Sequence, residues 1–143
     1  LDICIMQIWI LRCMMRARRN KLVIGFLDPQ IMNKTMVLSR PDDVVDYISR
    51  AFERHTDKDK ILMPYLMKDH WILLVLETSR DHIVIMDSRR KDRSEFQEVL
   101  DVFNRPFRHY KKSMMKSEFS VRVGFQCFRQ PPRNNRCGFY AMR

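Results

Sequence analysis

The six apolar residues from Trp71 to Leu76, WILLVL, constrain the fold of this chain more than any other segment. A strand that is apolar on both faces has to be covered on both faces, which places it inside a sheet between two layers. His82–Asp87, HIVIMD, follows after turn residues at 78–81. The two segments are therefore predicted to form an antiparallel hairpin at the centre of the domain.

The segments around this hairpin predict helices and further strands. Residues 1–19, a segment that begins near Ser39 and residues 93–104 carry apolar side chains at steps of three and four. Strands are predicted at 22–27, 61–67 and 119–125. Pro64 predicts that the second of these is an edge or bulged strand, and Pro106 is expected to end the preceding helix. The pattern indicates one α+β domain over residues 1–143, with a small, mostly antiparallel central sheet flanked by helices.

The net charge of +10 is concentrated in the last third of the chain. Residues 102–143 contain ten Lys or Arg and one acid, Glu118, whereas residues 1–101 are almost neutral. A basic segment favours an acidic partner, or nucleic acid if its interleaved aromatic residues stack on bases. A solvated basic face is the simpler interpretation. No apolar stretch is long enough to span a bilayer, so no membrane association is expected.

Four cysteines are present, at positions 4, 13, 127 and 137, and no signal-peptide pattern precedes them. Disulfides are rare in the nucleus and cytosol, so reduced thiols in one of those compartments are expected. The chain has no initiator Met and is expected to be a piece of a longer protein. We expect a monomer, and no cofactor is indicated.

Two polar residues flank the hairpin at places where they can meet. His70 directly precedes the WILLVL strand, and Asp87 closes the next one. The start of one strand and the end of its antiparallel neighbour lie at the same edge of a sheet, so these side chains are expected to be adjacent. A carboxylate that orients an imidazole is half of a nucleophilic triad. A satisfied histidine and ordinary turn chemistry are the simpler alternatives.

The remaining half of such a triad is predicted near the C-terminal end, in QPPRNNRCGFY. Asn134 and Asn135 are good N-cap residues for a helix that begins at Cys137, where helix amides lower a thiol pKa. Gln130 lies on the proline-containing loop before it and is a candidate hydrogen-bond donor to an oxyanion. The alternatives are a cysteine that only packs in the core, or a zinc ligand set of Cys127, Cys137 and His109.

Taken together, three motifs resemble the catalytic domain of the ubiquitin-like-protein-specific (SUMO-type) cysteine proteases. They are His70-Trp71 before apolar residues, Asp87-Ser88 at the end of the next strand, and Gln130-Pro131-Pro132 followed by Asn135-Arg136-Cys137-Gly138. The resemblance is closest to the divergent, transposon-associated branch that is abundant in plants. It extends over nearly the whole chain and implies a catalytic domain that is incomplete at its C-terminus.

This resemblance implies a papain-like α+β fold and cleavage after the C-terminal Gly-Gly of a ubiquitin-like modifier, which is the expected partner. It makes Cys137 the nucleophile, His70 the general base and acid, and Asp87 the residue that orients the ring. Gln130 becomes the oxyanion donor. Trp71 becomes a substrate-binding residue over a tunnel that admits only glycines.

Two residues depart from the family pattern. Arg133 stands where a small residue, often Gly, is common, and Arg136 replaces a frequent acidic neighbour of the nucleophile. Two further hypotheses therefore remain open. One is an inactive or truncated relative that only binds a ubiquitin-like protein, and the other is a nucleic-acid-binding module built on the basic segment after residue 101.

Overall fold

The computed structural model describes residues 2–110, 118–123 and 127–142, with the main chain alone at 109 and 110. The described residues form five helices and five strands. In chain order these are α1 (Ile3–Arg19), β1 (Ile24–Phe26), α2 (Lys34–Ser39), α3 (Pro41–Arg54), β2 (Lys60–Met67), β3 (His70–Glu77), β4 (His82–Met86), α4 (Gln97–Tyr110), β5 (Ser120–Val123) and α5 (Cys137–Ala141). Single 3-10 turns, Thr78–Arg80 and Arg93–Phe96, precede β4 and α4.

The five strands form one sheet in the order β1-β2-β3-β4-β5. The predicted hairpin is confirmed, because β3 and β4 pair antiparallel with Leu73 opposite Met86 and Glu77 opposite His82. The β2–β3 pair is also antiparallel, whereas β1–β2 and β4–β5 are parallel. Each parallel pair is joined by a connection that contains helices, as parallel pairing requires. The antiparallel character is thus confined to the centre of the sheet.

Strand β3 is buried along both faces, as its apolar run predicts. Ile72, Leu74 and Leu76 belong to the main core, which also contains the buried faces of α3 and α4. Trp71 points to the other face and packs with Met6 of α1 and with Cys137 and Ala141 of α5. Because α1 and α5 cover this second face, the short helix α5 is held against β3 by tertiary packing.

Pro64 lies in β2, which has neighbours on both sides and pairs with β3 in continuous register, so the prediction of an edge or bulged strand is wrong. However, β1 pairs only with residues 60–62 of β2. The carbonyl of Leu62 accepts a hydrogen bond of 3.0 Å from the amide of Leu27, so the main-chain groups of Leu62 point toward β1. By the two-residue repeat of a strand, those of Pro64 point the same way, at a level where β1 has ended. The missing N–H therefore removes no bond from the ladder.

Pro106 does not end the helix, which continues to Tyr110, and this prediction is also wrong. Phe103 and Phe107 on either side of it are 0% and 2% exposed. Fully burying one such ring contributes about 1.5–3 kcal/mol, which is comparable to the cost of a proline in a helix. Packing therefore keeps the helical backbone here. The predicted strand 119–125 is found as β5, and residues 124–126 lie outside the described residues.

Candidate active site

His70 and Asp87 meet at the edge of the sheet where β3 begins and β4 ends. The Nε2 atom of His70 lies 2.5 Å from Oδ1 of Asp87, and both side chains are 0% exposed. The hairpin register produces this contact, because residue 86 lies opposite residue 73, close to the first residue of β3. The prediction that these two side chains are adjacent is confirmed.

The Asp87 carboxylate also organises the loop that follows β4. The amide of Arg89 donates to Oδ1 and the amide of Lys91 donates to Oδ2, each at 2.8 Å. A carboxylate with three donors is well satisfied although it is buried. Burial raises the pKa of Asp87, but the His70 ring and these two amides outweigh it, so the pKa lies below the usual value.

The His70 ring is therefore held in one orientation, with its second nitrogen directed away from the carboxylate. That atom, Nδ1, is buried and makes no hydrogen bond of standard geometry. Burial lowers the pKa of His70, but the hydrogen bond to Asp87 and the nearby thiol of Cys137 outweigh it and raise the pKa above its usual value. An imidazole in this setting is stabilised in its protonated form.

Cys137 is the first residue of α5 and is 3% exposed. The amide of Trp71, the second residue of β3, donates to its Sγ at 3.3 Å, and Sγ lies 3.9 Å from the carbonyl oxygen of Asp69. The start of β3 thus places the sulfur and the imidazole side by side. Contacts of α5 with β3 fix this position, since α5 alone is too short to be stable.

The pKa of the Cys137 thiol lies below its ordinary value. Burial by itself raises this pKa, but the His70 ring, the amide of Trp71 and the Arg89 guanidinium together outweigh burial. Arg136 is the N-terminal flanking residue of α5 and makes no side-chain cap, while Oδ1 of Asn134 accepts from the amide of Arg136 at 2.8 Å. The predicted N-cap at Asn134 or Asn135 is therefore wrong, because Asn134 closes a tight turn one step earlier.

Gln130 is 5% exposed and is tied to the residue that follows Asp87. The main-chain amide of Gln130 donates to the carbonyl of Ser88 at 2.8 Å, and the Ser88 hydroxyl donates to Oε1 of the Gln130 side chain at 3.0 Å. Its Nε2 donates to the carbonyl of Asn134 within the same loop. An amide NH₂ carries two donors, so this bond leaves one hydrogen for another acceptor. The structure thus brings Gln130 to the same edge of the sheet as Asp87.

Trp71 is 1% exposed and is enclosed between α1, β3 and α5. It contacts Cys137 in two ways, through the packing of its side chain and through its main-chain amide, which donates to the sulfur. The predicted role of its ring as the wall of a glycine tunnel stays a prediction.

Two residues that the sequence reasoning did not assign contribute to the site. Ser88 is 4% exposed and joins the loop after β4 to the loop before α5. The positive charge of Arg89 helps to lower the pKa of the Cys137 thiol. For Arg89, the sequence signal was the run of cations that begins at this residue. Ser88 belonged to the Asp87-Ser88 motif but received no role, because a serine after an aspartate at a strand end is also ordinary turn chemistry.

The predicted alternative of a zinc site is not assembled by the residues that are described. Among them no group of three His, Cys, Asp or Glu side chains could hold a metal ion, and the side chain of His109 lies outside this part of the chain. The four cysteines are free thiols. Among the described helices, none has the length and apolar character needed to cross a membrane.

Comparison with solved structures places this fold among papain-like proteases of the Ulp1 type. One relative, the Ulp1 protease domain in complex with Smt3, the yeast ortholog of SUMO, has a TM-score of 0.60 and 16% identity over 84% of this chain and 54% of its own. The Ulp1-like SUMO protease catalytic domain of Chaetomium thermophilum has a TM-score of 0.59 and 20% identity, over 84% and 47%. A de-sumoylating protease has a TM-score of 0.65 and 13% identity, over 95% and 55%.

The chain spans about half the length of these solved relatives. No curated protein sequence matches it significantly. The family model of the Ulp1 protease family, C-terminal catalytic domain, matches residues 10–143. This chain therefore belongs to the Ulp1 protease family and has its papain-like fold, a five-stranded sheet flanked by helices.

Proposed function

We propose that this chain is a cysteine peptidase or isopeptidase that cleaves after the C-terminal Gly-Gly of a ubiquitin-like modifier of the SUMO type. One observation carries the proposal. The Cys137 thiol, the His70 ring and the Asp87 carboxylate are buried together, with the thiol pKa lowered and the imidazole pKa raised. These are the directions expected for a thiolate–imidazolium pair, which is an activated nucleophile beside its general acid.

The reaction follows from these three groups. The Cys137 thiolate attacks the carbonyl carbon of the terminal glycine, and protonated His70 gives its proton to the departing amine as the C–N bond breaks. The product is a thioester between Cys137 and the modifier. Neutral His70 then removes a proton from water, the hydroxide attacks the thioester carbonyl, and the thiolate leaves. Asp87 holds the ring in place and stabilises its positive charge through both steps.

The developing oxyanion needs donors close to the sulfur. Gln130 supplies the second hydrogen of Nε2, because its other hydrogen and its Oε1 are fixed by Asn134 and Ser88. The amide of Cys137 lies in the first turn of α5, where amides have no partner within the helix. Donors fixed before the substrate arrives stabilise the transition state more than mobile ones do.

The modifier class is supported by family membership and by the solved Ulp1 domain described in complex with Smt3. In this assignment the Trp71 side of Cys137 receives the Gly-Gly tail, since glycine alone fits against a bulky indole. The assignment to the transposon-associated branch rests on the resemblance of the sequence motifs. We also propose that the chain works as a monomer in the nucleus or cytoplasm, which are reducing compartments where disulfides are rare and a thiolate nucleophile stays reduced.

An activity-based probe tests this function directly. A SUMO-type protein that carries an electrophile in place of the terminal glycine carboxylate should form a covalent adduct at Cys137. Cys137→Ala should abolish the adduct and His70→Ala should slow it strongly, while Cys127→Ala, a matched thiol deletion outside the triad, should leave it unchanged. Binding of a modifier with no adduct would favour the inactive-relative hypothesis. An adduct that persists in Cys137→Ala would contradict the assignment of the nucleophile.

A further inference from the structure

Two loops beside the sulfur carry an unusual density of positive charge. Residues 87–93 and residues 129–136 together contain seven Lys or Arg, and the acids among them are Asp87, which is buried against His70, and Asp92. We call these cations the cationic rim: Arg89, Arg90, Lys91, Arg93, Arg129, Arg133 and Arg136. The rim accounts for seven of the 27 basic residues of the chain within fifteen positions.

The two loops form one surface because Ser88 and Gln130 join them. The two hydrogen bonds between these buried residues hold the loop after β4 against the loop before α5. The positive charge of Arg89 contributes to the lowered pKa of the Cys137 thiol, and Arg136 directly precedes Cys137 in the chain. Arg89 and Arg136 therefore border the thiol on the side formed by the loops, and the other cations of the rim lie farther along the same two loops. Trp71 and Met6 border the thiol on an apolar side.

Few counter-charges lie close to this surface. Within the described residues, Lys91 has Glu95 at 3.7 Å, while the side chains of Arg89, Arg129, Arg133 and Arg136 have no carboxylate within 4.0 Å. The last three are exposed. Elsewhere on the chain the pattern differs, as Arg105 and Arg108 each lie within 2.8 Å of an acid. Like charges held together without partners repel one another, which has a cost unless an acidic ligand relieves it.

We propose that the cationic rim is a specificity determinant that selects substrates with acidic residues on the leaving-group side of the scissile bond. This inference rests on the proposed function and adds the chemical class of the segment that follows Gly-Gly. The glycine tail occupies the apolar side of Cys137, so the first substrate side chains that can carry charge toward the loops are those beyond the scissile bond. An acidic segment there would be attracted by the rim, and a basic segment would be repelled.

Cleavage of a matched substrate series tests this selection. Modifier precursors that continue after Gly-Gly with two Glu, two Gln or two Lys should be cleaved in that order of kcat/KM at low ionic strength. The range from Glu to Lys should be about 10-fold or more, as for other steered encounters. It should collapse in about 1 M salt, where the screening length is about 3 Å. Equal rates for the three precursors at low salt would overturn the proposal.

Charge removal in the rim supplies the matched comparison. The double variant with Arg133→Gln and Arg136→Gln should lose the preference for Glu over Lys. The control, with Arg18→Gln and Arg19→Gln, removes the same charge at the far end of α1, about 18 Å along the helix from Met6. It should keep the preference. Unfolding midpoints of both variants, measured in urea, separate loss of selection from loss of the fold.

A second assay needs no substrate and therefore separates failure of this inference from failure of the proposed function. Iodoacetate is an anion and iodoacetamide is neutral, and both alkylate a thiolate. The ratio of their rates at Cys137, read by mass spectrometry, should be raised by the rim and lowered about 10-fold by the two rim substitutions. Exposed Cys4, beside Asp2, is the internal reference.

If the chain cleaves no modifier but retains this rate ratio, the proposed function is wrong, whereas the assignment of the rim as an anion-selective surface is supported. A ratio of iodoacetate to iodoacetamide rates that is the same at Cys137 and Cys4, and unaffected by salt, would overturn the proposed role of the rim. Protection of Cys137 from iodoacetate by a DNA oligonucleotide, at lower concentration than by an acidic peptide of equal charge, would also overturn it. That result would assign the surface to nucleic acid.

Discussion

Replacing Asp87 by alanine tests the part of the site on which the other residues depend. The carboxylate receives His70 at 2.5 Å and the amides of Arg89 and Lys91 at 2.8 Å, and its side chain is 0% exposed. Asp87→Ala therefore removes an acceptor from three donors at once. It also leaves His70, equally buried, without the group that stabilises its charge.

The expected cost follows from the burial of both partners. Removing one member of a buried ion pair lowers the free energy of unfolding by about 3–5 kcal/mol. Asp87→Asn keeps an oxygen for one of the amides and retains the shape, so its cost should be smaller, about 1–3 kcal/mol. The order of stability should be wild type, then Asp87→Asn, then Asp87→Ala.

The pKa shifts of Asp87 and His70 determine the pH range in which this cost is largest. The folded pKa of Asp87 is lowered, so its contribution is present above the unfolded carboxyl value of about 4 and is lost as pH falls through the folded value. The folded pKa of His70 is raised, so its contribution is present below about 6.5 and is lost as pH rises through the folded value. The cost of Asp87→Ala should therefore be largest between about pH 4 and pH 6.5.

Urea unfolding followed by far-UV circular dichroism, at three pH values, measures these costs. Asp92→Ala is the control, since Asp92 lies on the same loop but is exposed and caps only the turn at Ser94. It should leave most of the stability intact at every pH. A cost for Asp87→Ala below about 1 kcal/mol, or one that does not change with pH, would refute the buried pair.

Two further predictions concern the backbone. A Cβ on Gly25 would lie 2.9 Å from Cγ of His55, so Gly25→Ala should lower the free energy of unfolding by about 1–3 kcal/mol, and adding His55→Ala should restore part of it. No restoration by the second substitution would contradict the steric explanation. Arg133 has a φ of 61°, so Arg133→Gly should stabilise the protein by about 1 kcal/mol in urea unfolding, whereas Arg136→Gly, at −96°, should not. Equal effects of the two glycines would contradict the account of backbone strain.

The sequence was sufficient to predict the centre of the fold and the edge at which the polar groups meet. The apolar run of β3 and the hairpin after it are local signals, and antiparallel pairing then determines which strand ends are neighbours. Thus the contact of His70 with Asp87 followed from the sequence alone. The position of Cys137 did not follow in the same way, because it depends on α5 packing against β3, and Cys137 is 66 residues after Trp71 in the chain.

The errors arise where tertiary contacts override a local rule. Pro106 remains in a helix because the neighbouring rings are buried, and Pro64 remains in an inner strand because β1 is short. Asn134 has the chemistry of a cap, yet its side chain closes a tight turn on the amide of Arg136, just before the helix begins. Each outcome depends on how far a neighbouring element extends, which no window of local sequence contains.

The pH dependence of alkylation at Cys137 tests the central claim, a thiolate paired with an imidazolium that Asp87 holds in place. Iodoacetamide rates, resolved by residue with mass spectrometry, should give a pKa for Cys137 below that of Cys4, because the pKa of Cys137 is lowered and that of Cys4 is raised by Asp2. His70→Ala should move the Cys137 inflection upward. The same inflection for Cys137 and Cys4, unchanged by His70→Ala, would contradict the account.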